Sequence, residues 1–430
     1  MINIVNKQDC CGCTACVQIC PKNCIELFTD NEGFLYPKAD ADVCVECGLC
    51  EKVCPVQNQK EERKPNKVIA AINPDEGVRS KSSSGGVFSI LAENVIRQGG
   101  VVFGARFDEN WQVVITSAET IEQLSEFRGS KYLQARVDNS YIQCKDFLKS
   151  GRKVLYSGTP CQIAGLLDYL RKPFENLVTV DFVCHGVPSP GIWNKYLEEV
   201  TEASKIALKD VKYRTKPEGW KKFHLGITLD KYGSSYILSS RYSDNSYMKA
   251  FLSNMILRPS CYACPTKSGK SQSDLTIADF WGVEKVMPDM DDDRGTSIVL
   301  INTLKGESVV DEQNMKCKNV DYDAIIPFNP SISSSSSPHR QRRYFFARWN
   351  SEKSITSLME QCLKPSLLHR LYAYRNPIIL VKSMIGGRQN EPIQQDIEIM
   401  NGTFHVREIS FRRKNNGWHN YQILIKLGRK

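Results

Sequence analysis

Cysteine spacing constrains this chain more than any other feature. Within the first 55 residues the pattern C-x2-C-x2-C-x3-C-P occurs twice, as Cys10, Cys13, Cys16, Cys20 and Pro21 and again as Cys44, Cys47, Cys50, Cys54 and Pro55. Each member of the second copy lies 34 positions after its counterpart, which makes the pair an internal repeat of one small unit. Runs of this kind that end in Cys-Pro have the bacterial ferredoxin spacing, in which three cysteines of one run bind one cubane and the fourth binds the other. The spacing therefore predicts one 4Fe–4S cluster on Cys10, Cys13, Cys16 and Cys54, and a second on Cys44, Cys47, Cys50 and Cys20. Zinc sites use separated C-x2-C pairs rather than four-thiol runs ending in proline. Cys11 and Cys24 fall outside the ligand spacing and read as small packing residues.

The start MINIVNKQD has neither a basic nor an apolar secretory region, so 17 cysteines imply a reducing, cytoplasmic and anaerobic setting. No apolar run approaches the roughly 18 residues of a membrane span; Pro377 to Val381 is far too short. The net charge of +9 gathers late, in Arg340, Arg342, Arg343 and Arg348 and again in Arg407, Arg412, Arg413, Lys414, Lys426, Arg429 and Lys430. No nucleic-acid motif accompanies these residues, so they read as a solvated face or a docking surface for an acidic redox protein or nucleotide.

At 430 residues the chain exceeds one ordinary core. The pattern predicts a small two-cluster ferredoxin-like domain over 1–57, with a hairpin from Cys24 to Asp40, and a polar linker over 58–67. A core follows in two parts, 68–205 and 206–335, and then a basic region over 336–430 to which no role attaches. Val68–Ile72 reads as a strand, Arg79–Gly86 as a small-residue loop, and Val87–Ile96 as a helix. The strand Val101–Phe107 has Gly104 as a point of close backbone approach. Lys153–Tyr156 and Leu177–Val183 are strands that flank a helix through Ile163 and Leu170. This alternation predicts an α/β and α+β fold whose mixed, largely parallel sheet is flanked by helices. Ser333–Ser337 reads as a mobile loop.

Four further cysteines fall at loop positions: Cys161, Cys184, and the C-x2-C pair Cys261 and Cys264. They could hold a third cluster; equally, two could be core cysteines and the pair a zinc site or nothing. His185, at a strand end, is a candidate general acid with a structural hydrogen bond as the plainer role. The Lys81–Gly86 loop, placed before a helix, could cradle a pyrophosphate, or be only a loop.

The stretches KSSSGGVF (Lys81–Phe88), RGSKY (Arg128–Tyr132), SGTPCQ (Ser157–Gln162), CHGVP (Cys184–Pro188), RPSCYAC (Arg258–Cys264) and DFWG (Asp279–Gly282) together resemble the coenzyme F-420 hydrogenase/dehydrogenase beta-subunit family. The likeness runs from about residue 68 to 335, with Ala278 standing where the family pattern has Gly before DFWG. The resemblance implies an FAD-binding iron–sulfur oxidoreductase. It implies that Lys81, Ser82, Ser83, Ser84, Gly85, Gly86, Arg128, Gly129, Ser130, Lys131, Tyr132, Ser157, Gly158 and Thr159 line the flavin. It also implies that Cys161, Cys184, Cys261 and Cys264 ligate a third 4Fe–4S cluster. The expected function is an electron relay between a ferredoxin or other redox partner protein and a small-molecule or deazaflavin-type substrate. The alternative is a non-catalytic electron-transfer subunit of a larger complex.

Overall fold

The structure is a computed structural model describing residues 1–364, apart from 205–206 and 232–233, and three strands at 396–399, 402–413 and 421–429. It divides into two compact units, Met1–Lys364 and Pro365–Lys430. The expected N-terminal hairpin forms from β1 (Ile25–Thr29) and β2 (Leu35–Ala39), with short helices α1 (Ala15–Ile19) and α2 (Leu49–Lys52) carrying parts of the cysteine runs.

The main sheet is built from β3 (Lys67–Ile72), β4 (Val101–Phe107), β5 (Val113–Ala118), β6 (Val154–Gly158) and β7 (Leu177–Phe182). A separate antiparallel ribbon follows, β8 (Ala207–Thr215), β9 (His224–Lys231) and β10 (Ser234–Arg241), before the sheet is completed by β11 (Leu275–Asp279), β12 (Ser297–Ile301) and β13 (Lys316–Asn319). The eight-stranded order is β13-β3-β12-β11-β7-β6-β4-β5. Parallel pairing is confined to the central run β11-β7-β6-β4, and the flanking pairs are antiparallel. The mixed sheet flanked by helices is thus present, with its parallel part four strands wide.

The helices that cover it are α3 (Glu76–Lys81), α4 (Val87–Arg97), α5 (Ser140–Lys149) and α6 (Pro160–Leu170). Alternation along each strand sends side chains to opposite faces. Ile69 and Ala71 pack with Val87, Leu91 and Val95 of α4, while Val68, Ala70 and Ile72 pack with Phe280 and Ile298 on the other face. In β6, Leu155 joins the first of these clusters and Val154 and Tyr156 face the opposite side. Helices α7 (Pro190–Ser204) and α8 (Ser246–Leu252) add to the same side as α5 and α6.

Three local readings change. The loop expected from Arg79 begins only at Ser82, because Asp75 caps α3 by accepting from the Val78 amide. Gly104 lies inside β4, and its close neighbour is the Phe127 ring, 2.5 Å from where a Cβ would stand. The polar 58–67 segment is docked: Lys60 pairs with Asp168 at 2.9 Å, and the Arg63 amide donates to the Ser268 carbonyl at 2.9 Å.

In the second unit, β14 (Asp396–Ile399), β15 (Gly402–Arg413) and β16 (Tyr421–Arg429) form a three-stranded antiparallel sheet. It carries Arg407, Arg412, Arg413, Lys426 and Arg429. Lys414, Lys430 and the run Pro377 to Val381 lie outside the described residues. No helix among the described residues is long and apolar enough to cross a membrane.

Candidate metal centres

The N-terminal cysteines do not form a detached module. Cys10, Cys11, Cys13, Phe34 and Tyr36 are buried in one core with Val101, Tyr141, Ile163 and Leu166 of the sheet and its helices. Helix α6 comes so close that a Cβ on Gly165 would stand 2.9 Å from the Cys13 sulfur. The hairpin turn is held as well: Arg342 forms a two-pronged ion pair with Glu32, at 3.0 and 2.5 Å, and the Trp349 indole donates to the Asn31 carbonyl at 2.9 Å.

Within this frame Cys10, Cys13, Cys16 and Cys54 come together. Burial, then the neighbouring Cys10, Cys54 and Cys50, push the Cys16 thiol well above its ordinary value, and burial raises Cys54. Cys20, Cys44, Cys47 and Cys50 line a separate recess, whose walls include Ile25, Ala39, Val45 and Leu49. Cys47 is exposed, so this recess is the outer of the two and the Cys10 group the inner. Among the described residues no three His, Cys, Asp or Glu side chains converge on the position of a single metal ion. Four thiols around a recess are instead the donor set of a cubane, and on that chemistry both groups fit one. None of the 17 cysteines is in a disulfide.

The cysteines expected as packing residues are buried, and each interacts with another cysteine. The Cys24 sulfur is 3.4 Å from that of Cys20. Cys11 interacts electrostatically with Cys13 and Cys161. The adjacency Cys10-Cys11 is the one signal in the sequence that could point to it.

The core cysteines also converge, at the C-terminal ends of neighbouring parallel strands, where α/β sheets bind ligands. Cys161 lies in the first turn of α6, directly after β6, and Cys184 follows β7. A capping box on Thr159 and Gln162 starts α6, and the Thr159 hydroxyl is 3.2 Å from the Cys161 sulfur. Cys261 lies in the short helical turn Pro259–Ala263 and Cys264 directly follows it; the Cys261 sulfur accepts from the Val187 amide at 3.4 Å. Burial, helped by Cys161 and Cys264, pushes the Cys261 thiol up to about 12. Burial first, then the other three cysteines, raises Cys184 against the opposing charge of Lys267. Four half-buried thiols gathered at one end of the sheet suit a cluster that would bind them as thiolates.

The serine run is pinned to this site. The Ser335 hydroxyl accepts from the Cys264 amide at 3.0 Å, and Ser336 donates to the His185 carbonyl at 2.6 Å. His185 packs edge-on against Phe251 with its Nε2 unpartnered, and burial holds its pKa below the ordinary value. Among the described residues it forms no ion pair with a carboxylate.

Beside the cysteines, two of the three small-residue loops meet. The Ser130 amide donates to the Ser83 hydroxyl at 2.6 Å, and the Ser130 hydroxyl donates to it at 2.8 Å. Arg128 is anchored on α4 through Ser89 at 3.1 Å and Glu93 at 3.6 Å. Lys131 caps the carbonyls of Glu126, Arg128 and Gly129, and burial pulls its ammonium down to about 7. Lys81 is exposed and Ser82, Gly85 and Gly86 are buried; the Gly85 amide donates to Ser297 at 3.0 Å, and the Ser84 hydroxyl to the Thr296 carbonyl at 2.7 Å. Ser157 and Thr159 are used differently: Ser157 donates to the Phe103 carbonyl at 2.8 Å, and Thr159 serves α6 and Cys161, with Gly158 packed on Gln162.

The strand β8, which sequence reasoning missed, and the residue after it bring two cations to these loops. Lys216 donates to the carbonyls of Arg79, Ser84 and Arg294, at 3.2, 3.4 and 2.8 Å, and burial lowers it to about 8. Arg214 pairs with Asp279 of DFWG and reaches the Tyr132 hydroxyl at 3.5 Å. Its side chain is 1% exposed, among the Phe223, Trp281 and Trp220 rings, with Nε and Nη2 unpartnered; Asp279 Oδ1 is also unpartnered. Buried donors and acceptors left over at the edge of the Arg128–Tyr132 loop fit a polar, charged ligand there. Ala278 sits in register opposite Ile298 in β11.

Comparison with known proteins finds matches to three successive stretches of the chain. A family described as "4Fe-4S dicluster domain" matches residues 9–58. The N-terminal and C-terminal parts of "Coenzyme F-420 hydrogenase/dehydrogenase, beta subunit" match residues 68–140 and 151–323. The chain is 28% identical over 174 residues to one of the subunits of the F(420)H(2) dehydrogenase of Methanosarcina mazei, covering 37% of this chain and 48% of that one. It is 48% identical over 42 residues to a 7Fe ferredoxin of Hydrogenibacillus schlegelii, covering 10% of this chain and 47% of that one. A chain of the F-420-reducing nickel–iron hydrogenase complex from Methanosarcina barkeri aligns with a TM-score of 0.43 and 17% identity, over 68% of this chain and 95% of that chain. The chain spans about half the length of the first curated relatives it matches. Both parts of one family follow a dicluster domain in order, so the chain is an iron–sulfur electron-transfer protein that belongs to the coenzyme F-420 hydrogenase/dehydrogenase beta-subunit family.

Proposed function

We propose that this chain is an iron–sulfur flavoprotein that connects a one-electron protein partner to a two-electron, hydride-carrying substrate. The outer group (Cys20, Cys44, Cys47, Cys50) and the inner group (Cys10, Cys13, Cys16, Cys54) would each hold a 4Fe–4S cluster, and Cys161, Cys184, Cys261 and Cys264 a third. The loops Ser82–Gly86 and Arg128–Tyr132, tied through Ser83 and Ser130, would hold FAD, with Arg214, whose Nε and Nη2 are unpartnered, supplying positive charge beside them. Bound there, a flavin exchanges hydride with a substrate and single electrons with clusters.

The observation that carries this reading is the packing of the Cys13 sulfur on α6 at Gly165, one turn after Cys161 on the same helix. Through it the inner cysteines lie against the helix that carries Cys161, so the exposed outer group is the natural port for a ferredoxin or other redox partner. The residues do the rest: Arg342 and Trp349 hold the hairpin in place, the buried core keeps water from the inner thiols, and Arg214 and Asp279 fix Tyr132 beside the flavin loops. The substrate would be deazaflavin-like or another small organic hydride carrier. A second reading, an electron-transfer subunit whose partner holds the active site, is favoured by the relative named as part of a dehydrogenase with several subunits.

Anaerobic purification followed by iron, sulfide and flavin determination tests the proposal. About twelve irons and one FAD per chain are expected, on a count of four irons per cubane. About eight irons without flavin would leave the ferredoxin-like part standing and overturn the rest.

A further inference from the structure

Arg258 is the third-largest fully buried side chain of the protein, at 0% exposure, and among the described residues it forms no ion pair with a carboxylate. Burying an uncompensated cation costs several kcal/mol, on the order of the penalty for any isolated buried ion. Its hydrogen bonds show what offsets that cost. Nε donates to the Cys10 carbonyl at 2.8 Å, and Nη2 donates to the Cys10 sulfur at 3.4 Å and to the Leu35 carbonyl at 3.0 Å. Nη1 donates to Gln134 at 3.0 Å, and the guanidinium lies 4.1 Å from the Tyr36 ring centre and 5.5 Å from that of Phe34. Arg258 therefore sets its buried charge against Cys10 of the inner group.

Among the described residues the outer group has no buried cation: Met1 and Lys22 line its recess but are exposed, and their charge is open to solvent. Its sulfurs accept from backbone amides, Ile2 to Cys50 at 3.3 Å and Glu46 to Cys44 at 3.4 Å, and Cys47 is exposed. Two sites with the same ligand pattern thus differ by one buried cation with an N–H···S bond. Hydrogen bonds to sulfur and net charge are among the terms that set cluster potentials.

We propose that Arg258 raises the reduction potential of a cluster held by Cys10, Cys13, Cys16 and Cys54, so that an electron entering at the outer group is drawn inward. The proposal rests on the reading that these cysteines hold a cluster. One electron arrives from the donor and adds one negative charge at the inner site; the fixed charge of Arg258 compensates it, and no proton is taken up. Arg258 also stands three residues before Cys261, so the segment that supplies two core thiols supplies the inner site's cation as well.

The test is potentiometric titration of the anaerobically purified full chain with dithionite, followed by electron paramagnetic resonance, for the wild type, Arg258→Gln and Arg258→Lys. In Arg258→Gln, at the potential that half-reduces the inner cluster of the wild type, the reduced-to-oxidised ratio of that cluster falls at least tenfold, about 59 mV for one electron. The outer cluster keeps its potential, and Arg258→Lys falls in between. A wild-type inner potential in Arg258→Gln overturns the proposal. If Arg258→Gln does not assemble the inner cluster, Arg258→Met is titrated in its place, and a wild-type inner potential there overturns the proposal. A wild-type protein without two reducible N-terminal clusters would instead overturn the cluster reading itself.

Discussion

The Ser83 hydroxyl accepts two hydrogen bonds from Ser130, one from the amide at 2.6 Å and one from the hydroxyl at 2.8 Å, and so joins two loops 47 residues apart. Ser83→Ala removes both bonds and leaves two partly buried donors without an acceptor. At about 1 kcal/mol for each bond, FAD should bind roughly tenfold or more weakly, while iron content stays at the wild-type level. Flavin titration beside iron analysis measures both; unchanged FAD affinity would count against these loops as the flavin site.

Gly165 is the point where α6 meets the inner cysteines. Alanine is ordinarily the better helix former by roughly 1 kcal/mol, but here its Cβ would stand 2.9 Å from Cys13 Cβ and Sγ and 3.2 Å from the Tyr141 hydroxyl. Gly165→Ala should therefore destabilise the protein by about 1–3 kcal/mol through overpacking and speed iron release to a ferrous chelator. Thermal melting and the chelation rate check this.

Asp181 is fully buried on β7, and burial raises its pKa to about 6 against the hydrogen bonds of Ser271, Thr276 and Ser273. The folded chain thus holds this proton more tightly than an unfolded chain, whose Asp titrates near 4. The resulting stability is fully present below about pH 4 and lost as pH rises to about 6, by linkage. Asp181→Asn keeps an acceptor for Ser271 and loses the charge. It should raise stability by about 1–3 kcal/mol at pH 7.5, with the gain vanishing near pH 4; melting curves at the two pH values decide it.

The Arg214–Asp279 pair joins β8 to the end of β11, with the arginine side chain 1% exposed. Asp279→Ala leaves that guanidinium without its carboxylate and should cost about 3 kcal/mol. Adding Arg214→Met should recover part of the loss, because the unpaired charge is gone. Chemical denaturation of both variants tests the coupling, and a double variant less stable than Asp279→Ala would contradict it.

Much of the local structure was legible in the residues. The hairpin β1–β2, helix α4 with its stop at Gly99-Gly100 and the strands β6 and β7 follow from apolar periodicity and turn residues, which act over a few positions. The two cysteine runs were equally plain, because their spacing is itself the ligand pattern. The strand β8 gives no such signal: Ala207–Thr215 mixes charged and apolar residues, and its burial comes from the ribbon it joins. The serine run has the composition of a mobile segment, and only Cys264 and His185 across the fold reveal that it is held.

What the sequence by itself determined was therefore chemistry of short range: which cysteines belong to which run, where strands and helices begin, and which motifs mark the family. What only the tertiary structure decided was adjacency. Arg258 bonds Cys10 across 248 positions, Gly165 packs on Cys13, and Lys216 reaches the Ser84 carbonyl across 132. No local propensity encodes such pairs; they form because the sheet, in burying its two apolar faces, brings distant loops to one end and closes them around groups that water can no longer satisfy.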